Sequence, residues 1–383
     1  MGRSTAAVHS GPPPPAMVLR PPPHSPESSS EPLPLDRTRG AAPAASYGIR
    51  RIHPPRRPPL VDNIGPRYSM LDYAFDKGHR ARFIENGETL RPLCMRGHGV
   101  DGHMDYDERY APFFKRARLL GFVLEFKRHP PTLVQAAMIA LIDRWRPETH
   151  SFHLPRGEMT VTLEDWSMIT AMSLEGHALT GRVERTNWQQ RVTTLIGDCP
   201  DAKGNHTSGV PLFWLSEHRK TCPEDANETT MEWYARAYLW YIITEVVFPD
   251  ASGNSANWSY LFFLADWDAG YSWGTASLAY LYRSLDDATQ RTGDKSNMGG
   301  FVWAFSIWMW EHLPVGRPEK LPRRPWGAYS EDGNEARHPT VDYEWDVVKL
   351  YTGLNKNSYK TYTNELDALT HTQVYGLAKH ISL

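Results

Sequence analysis

The chain has 383 residues, a net charge of −2 and three cysteines, and 40% of its residues are hydrophobic. Its 14 Trp, 18 Tyr and 13 Phe can build a sizeable core, and the near-neutral charge excludes a broadly basic nucleic-acid-binding domain. The sparse, odd set of cysteines excludes a disulfide scaffold and favours a reducing intracellular compartment, and no apolar window is long enough to predict a membrane span.

Residues 1–66 are a low-complexity tail rich in Pro, Ser and Arg. Residues 1–67 hold nine Arg, no Lys and four acidic residues, a charge of about +5 that leaves about −7 on the rest. Because this composition buries little apolar surface, the tail is predicted to be disordered. Its paired arginines are a nuclear-localisation signal, a weak contact to nucleic acid for which nothing else in the sequence gives support, or an incidental linker. The nucleus is therefore predicted, and the cytoplasm is the alternative. These arginines are Arg50, Arg51, Arg56 and Arg57.

Residues 67–383 are predicted to form one helical domain, because apolar residues recur at helical spacing and turn residues separate the segments. The segment Met298–His312 is apolar on nearly every side and is therefore predicted to be central and buried. The predicted fold class is mainly α, an irregular multi-helix globular domain with one small β-ribbon. The predicted helices span 107–120, 130–145, 186–196, 210–220, 224–248, 258–267, 274–290, 298–312 and 358–370.

The stretch from Phe152 to Gly181 reads as strand, turn, strand and helix, and the rest of the domain is organised around it. The turn is predicted at Pro155–Gly157, and the second strand at Met159–Leu163. The spacing of Thr162 and Asp165 predicts a capping box at the start of the helix. Gly176 is predicted to end that helix, and Arg156 at the turn tip is the one residue of the stretch with a functional hypothesis.

Two patterns that contain Gly and His are candidate ligand sites. Gly97–Gly102 matches G-x-G-x-x-G, but it lacks the preceding strand and following helix that a dinucleotide site needs, which favours a plain loop. Cys94, His98 and His103 are a loose match to zinc spacing, and a solvated loop is favoured over a metal site.

No motif for a nucleophile, phosphate loop or metalloprotease is present. Asp266, Asp268, Asp286 and Asp287 are candidates for metal-dependent phosphoryl transfer, although their spacing favours exposed charge. The tryptophans near Trp308 have no basic neighbours, so core packing is favoured over base stacking.

Several long motifs follow one another along the chain: the run from Arg144 to Trp166, the segments Tyr234–Leu239 and Tyr271–Arg283, and the Trp-rich segment Gly300–Glu311. In this order they resemble the plant mobile domain family of MAIN-like, "aminotransferase-like" proteins. The aminotransferase label has no support, because no pyridoxal-phosphate lysine motif is visible. The signature residues are Trp145, Phe152, Leu154, Pro155, Gly157, Glu158, Thr160, Leu163, Asp165, Trp273, Gly274, Trp308 and Trp310.

The resemblance implies a plant protein of transposon-related origin, with nuclear relatives that support meristem maintenance, transposable-element silencing and genome stability. It implies nuclear protein partners, among them a phosphatase-like one, and no catalytic residue, cofactor or metal. The chain departs from the family after Val374, so we expect a domain cut short at its C-terminal end. The predicted function is a non-enzymatic nuclear interaction module. The alternatives are a metal-dependent nucleic-acid enzyme derived from a transposase, or a truncated product without function.

Overall fold

The computed structural model describes ten stretches between Lys77 and Tyr375, all within one compact unit. The predicted tail at 1–66 lies outside the described residues, together with Arg50, Arg51, Arg56 and Arg57, so the boundary at residue 66 stays a prediction. The described stretches are 77–95, 102–127, 131–180, 186–200, 209–249, 255–294, 296–321, 340–345, 348–350 and 358–375.

The described residues are mainly helical, as predicted, with thirteen α-helices. A π-helical turn, Ile243–Val247, extends α8, and short 3-10 helices occupy Glu108–Tyr110 and Asp342–Trp345. Helices α1 to α13 span Arg80–Glu85, Ala111–Arg116, Leu120–Phe126, Gln135–Ile142, Leu163–Thr170, Trp188–Ile196, Leu212–Arg219, Glu228–Ile242, Trp258–Phe263, Trp273–Thr289, Val302–His312, Tyr359–Asp367 and His371–Tyr375.

The strands are short and pair in small separate sheets. The β2, β3 and β4 strands form an antiparallel three-stranded sheet, in which Phe152 faces Trp145 on one side and Met159 on the other. The β1–β7 pair is parallel, whereas β5–β6 and β8–β9 are antiparallel. Strands β1 to β9 span Cys94–Met95, Trp145–Arg146, Ser151–Leu154, Gly157–Met159, Gly209–Pro211, Ser255–Asn257, Asn297–Met298, Glu319–Lys320 and Val348–Lys349.

Helix α11 is the centre of the core, as its uniform apolarity predicted. All of its residues except Glu311 are buried, and it packs against α5 and the 3-10 helix at Asp342–Trp345. Helix α12 packs along α4, which is also buried over most of its length. None of the helices in the described part is both long enough and apolar enough to span a bilayer.

Several predicted helix boundaries were wrong, and three of them show the physical reason. The predicted helix at 107–120 is interrupted near Arg118, whose φ of 58° ends α2 before α3 begins at Leu120. The helix predicted to reach Trp145 ends at Ile142, because Trp145 pairs with Phe152 as a strand. Helix α5 ends at Thr170 rather than near Gly176, because Ala171 takes the left-handed conformation usually left to glycine.

The strand predicted at Met159–Leu163 was also wrong. The observed strand, β4, occupies Gly157–Met159, because the chain leaves the sheet at Thr160 to reach the cap of α5. Caps of the expected chemistry start other helices as well: Asn227 caps α8, Asn257 caps α9 and Ser358 caps α12.

Candidate functional site

Asp165 joins the first turn of α5 to the buried helix α11. Its backbone N–H donates to Thr162 Oγ1 at 3.1 Å and the Thr162 N–H donates back to Asp165 Oδ2 at 3.2 Å, which confirms the capping box. The same Oδ2 accepts a hydrogen bond from Trp308 Nε1 at 3.2 Å, and His312 Nε2 lies 3.3 Å from Oδ1. Burial alone would raise the pKa of Asp165, but His312 and the Thr162 hydrogen bonds outweigh it and lower that pKa.

Phe152 fills the space between the sheet and α11. Its ring stacks on Phe305 and Trp308, with centroids 5.7 Å and 5.5 Å away, and lies 4.8 Å from the ring of Trp145. Leu154, two residues along the same strand, is also buried. These signature residues therefore form the apolar contact that holds the sheet on the central helix.

A second set of polar contacts ties the sheet to α10. Trp145 Nε1 donates to Asp286 Oδ1 at 2.7 Å, and His150 Nε2 lies 3.3 Å from Asp286 Oδ2. Thr160 Oγ1 donates to the His150 carbonyl at 2.6 Å and lies 2.8 Å from the Tyr282 hydroxyl. Burial raises the pKa of Asp286, against the opposing hydrogen bond from Trp145 and the charge of His150. Asp286 therefore serves as the hydrogen-bond acceptor that links the sheet to α10.

The predicted turn at Pro155–Gly157 is present and reaches the C-terminal part of the domain. Arg156 Nε donates to the Leu369 carbonyl at 3.2 Å, so this side chain has a structural contact at the position for which a function was hypothesised. Glu158, across the sheet, accepts a hydrogen bond from Ser151 Oγ at 2.8 Å.

The remaining signature residues are also placed by packing. Gly274 donates its N–H to the Ser173 carbonyl at 2.9 Å, and a Cβ at Gly274 would lie 2.9 Å from that same oxygen. Its neighbour Trp273 is buried, and Trp310 lies 5.2 Å from the ring of Trp345 in the core. Leu163 is the exception, since 43% of its surface is exposed.

The scattered aspartates have separate roles. Asp268 forms an exposed ion pair with Arg116 at 2.5 Å, and Asp266 accepts the Asp268 N–H at 2.9 Å. Asp287 is exposed and lies 3.9 Å from Arg291. Within the described ranges, no three His, Cys, Asp or Glu side chains are grouped closely enough to hold a metal ion.

The Gly- and His-containing patterns fall largely on undescribed residues. Positions 97–101, which include His98, lie outside the described residues. Cys94 is exposed at the start of β1, whereas His103 stacks on Tyr241 with ring centroids 6.4 Å apart. The hypotheses of a dinucleotide loop and of a zinc site stay without structural support.

Two buried Arg–Asp ion pairs next to the C-terminal end of α4 form a charge layer that was not predicted from the sequence. Arg80 Nε lies 2.5 Å from Asp143 Oδ1, and Arg144 Nη2 lies 2.7 Å from Asp367 Oδ1. Arg80, Asp143 and Arg144 are each no more than 3% exposed. A signal was available, because charged residues at 143, 144 and 146 directly follow an apolar helix, but their partners are distant in sequence.

This charge layer borders a cleft of about 610 Å³. Its walls come from α1, the extended segment 88–92, the start of α4 and Tyr359. A second groove, of about 560 Å³, lies between the loop 174–180 and helices α9 and α10, with Phe248 and Tyr260 stacked in its wall at 4.7 Å. Both cavities are in the size range of small-molecule sites.

The amino-acid sequence was compared with protein families and with known proteins. Residues 129–375 match the family model described as Plant mobile domain. In Arabidopsis thaliana, the protein named Serine/threonine-protein phosphatase 7 long form homolog is 39% identical over 242 residues, covering 62% of this chain and 18% of that protein. Protein MAIN-LIKE 1 is 37% identical, with 52% of this chain and 40% of the relative covered, and Protein MAINTENANCE OF MERISTEMS is 35% identical, with 50% and 40% covered.

The matched region is therefore less than half of each of these relatives. No solved structure matches the chain.

Proposed function

This chain belongs to the plant mobile domain family, and from that premise we propose that it is a non-enzymatic protein-interaction module that acts in the nucleus. The name of the relative MAINTENANCE OF MERISTEMS supports the further proposal that this chain contributes to meristem upkeep. We propose transposable-element silencing and genome stability as associated processes. The transposon-related origin is part of the same proposal.

One observation about the site carries the proposal. The polar side chains of the family signature bond to groups within the domain: Asp165 accepts from Thr162 and Trp308, and Trp145 donates to Asp286. These hydrogen bonds hold the three-stranded sheet, α5, α10 and α11 in one arrangement. A scaffold of this kind suits the presentation of surfaces to a partner, because a rigid surface loses little conformational entropy on binding.

We propose a phosphatase-like protein as one partner of the module. The support is the relative whose name is that of a phosphatase 7 homologue, since 39% identity over 242 residues relates this chain to a segment of that longer protein. Segments linked in one polypeptide meet at a high effective concentration, so a contact between them can persist at modest affinity, and we propose that this chain makes the equivalent contact with a separate protein.

Binding to a purified phosphatase domain tests the interaction. The full chain would be immobilised and titrated with the phosphatase 7 catalytic domain by surface plasmon resonance, with an unrelated Ser/Thr phosphatase domain as the matched control. We expect saturable binding to the first domain alone. Equal binding to both domains, or to neither, contradicts the phosphatase proposal.

Localisation is tested in plant cells with the tagged full chain. We expect nuclear signal that is lost when Arg50, Arg51, Arg56 and Arg57 are all changed to Gln. The control changes an equal number of tail arginines to Gln, at Arg3, Arg20, Arg37 and Arg39, and is expected to stay nuclear. A wild-type protein found outside the nucleus contradicts the nuclear part of the proposal.

A further inference from the structure

The second groove follows an exposed stripe of helix α10. Thr275, Ala279 and Arg283 line it at intervals of four residues, and all three are exposed. Residues spaced in this way share one helix face, and at a rise of about 1.5 Å per residue the stripe is about 12 Å long. Tyr260 and Phe263 of α9 line the same groove and are half-buried. The groove therefore combines exposed helix positions with aromatic surface.

Arg283 is the charged side chain that lines this groove. Its guanidinium is exposed and forms no ion pair or hydrogen bond with the residues that the structure describes. Two hydroxyls beside it are already used, since Tyr280 donates to the Pro249 carbonyl at 3.1 Å and Thr275 Oγ1 donates to the Leu174 carbonyl at 3.3 Å. The guanidinium is therefore available to a ligand, and its charge and planar array of donors favour a carboxylate.

Backbone groups along one side of the groove are already paired with each other. The His177 N–H donates to the Gly270 carbonyl, and the Ser272 N–H donates to the His177 carbonyl, both at 2.9 Å. The Gly274 N–H donates to the Ser173 carbonyl at the same distance. A peptide that adds to a protein as a β-strand needs a row of unpaired backbone groups, so these contacts disfavour strand addition.

The size of the groove favours an extended peptide over a helix. An α-helix with its side chains is about 10–12 Å across, so a 12 Å length of helix occupies roughly 1,100 Å³, whereas the groove holds about 560 Å³. A polyproline II segment rises about 3.1 Å per residue, so about four residues match the length of the stripe. Proline-rich segments in this conformation dock in aromatic-lined grooves.

We propose that the second groove binds an extended, proline-rich peptide segment of a partner protein, and that this segment carries one acidic residue. Its apolar side chains lie against Tyr260 and Phe263, and its carboxylate pairs with Arg283. The proposal rests on the protein-interaction function proposed above and gives that function a binding surface. The surface is separate from the signature contacts around Asp165.

Calorimetric titration of the full chain with the peptide Pro-Pro-Leu-Pro-Pro-Glu, capped at both ends, tests the proposal. A second peptide has Ala in place of each Pro, and a third has Gln in place of Glu. We expect the Ala peptide to bind at least tenfold more weakly than the first, because it is not held in the polyproline II conformation. The Gln peptide is expected to bind about threefold more weakly, since an exposed ion pair contributes little. No binding of the first peptide, or equal affinity for it and either of the others, overturns the proposal.

Two variants locate the peptide. Ala279→Phe places a ring in the groove and is expected to weaken binding at least tenfold, whereas Ala136→Phe in the cleft beside α4 is the matched control and is expected to bind normally. Arg283→Gln is expected to abolish the preference for the Glu peptide over the Gln peptide, and Arg118→Gln, at an exposed arginine outside the groove, is expected to keep it. Both groove positions are exposed, so the variants are expected to fold, which circular dichroism verifies. Unchanged binding to folded Ala279→Phe overturns the assignment.

The peptide titration and the phosphatase titration test different claims. A chain that binds the phosphatase domain but not the proline-rich peptide contradicts this site alone. A chain that binds the peptide but not the phosphatase domain contradicts the phosphatase proposal alone.

Discussion

Trp308 Nε1 donates a hydrogen bond to Asp165 Oδ2 at 3.2 Å, across 143 residues of sequence. The same carboxylate closes the capping box with Thr162, so one side chain both starts α5 and anchors it to α11. A residue at this position is therefore required twice, once for local helix formation and once for tertiary packing.

Replacement of Asp165 by Ala is expected to lower the free energy of unfolding by about 2–4 kcal/mol, because it removes a helix cap and leaves the indole N–H of Trp308 without its acceptor. Urea denaturation at pH 7 measures the change. Glu164→Ala is the control, since Glu164 is exposed in the same first turn and is expected to cost less than about 1 kcal/mol. Equal losses for the two variants would show that the Trp308 contact adds nothing.

The stabilising effect of Asp165 is expected to depend on pH. Since its pKa is lowered in the folded protein, its contribution is fully present above the unfolded pKa of about 3.9 and is lost as the pH falls through the lower folded value. The difference in free energy of unfolding between the wild type and Asp165→Asn should therefore shrink between pH 5 and pH 2. A difference that stays constant over that range would contradict the lowered pKa.

Asp367 is expected to be needed for docking of α12 on α4. Asp367→Ala leaves Arg144, which is 3% exposed at its side chain, without its ion-pair partner, and the expected loss is about 3–5 kcal/mol. Asp287→Ala removes an exposed carboxylate 3.9 Å from Arg291, and less than about 1 kcal/mol is expected. Thermal unfolding of both variants tests this prediction. The same melting temperature for Asp367→Ala and Asp287→Ala would contradict it.

Gly176 is expected to tolerate no side chain. Its φ is 124°, and a Cβ there would lie 2.0 Å from the Gly270 carbonyl oxygen, in the bridge that joins His177 to Tyr271. Gly176→Ala should therefore cost more than about 2 kcal/mol, from backbone strain together with the clash.

Gly87→Ala is the matched control for this prediction. Gly87 also has a positive φ, of 89°, but open space surrounds it, so strain of about 1–2 kcal/mol is the whole expected cost. Hydrogen exchange near His177 should rise in Gly176→Ala alone. Equal destabilisation by both variants would show that the contact with Gly270 is not limiting.

Local rules in the sequence determined several elements of this protein. The Thr162–Asp165 spacing determined the start of α5, and the apolar run at Val302–His312 determined the buried position of α11, because caps and apolar periodicity act within a few residues. The order of family motifs placed the chain in the plant mobile domain family.

Tertiary structure alone decided the rest. Helix α5 ends where Ala171 turns left-handed. Trp145 leaves the predicted helix to pair with Phe152 and to donate to Asp286, which is 141 residues away. Arg80 pairs with Asp143, which is 63 residues away, and Arg144 pairs with Asp367, which is 223 residues away. Arg80 also lines the cleft beside α4. Local sequence patterns do not show which charges meet, because burial and distance set the energy of an ion pair and both arise only when the chain has folded.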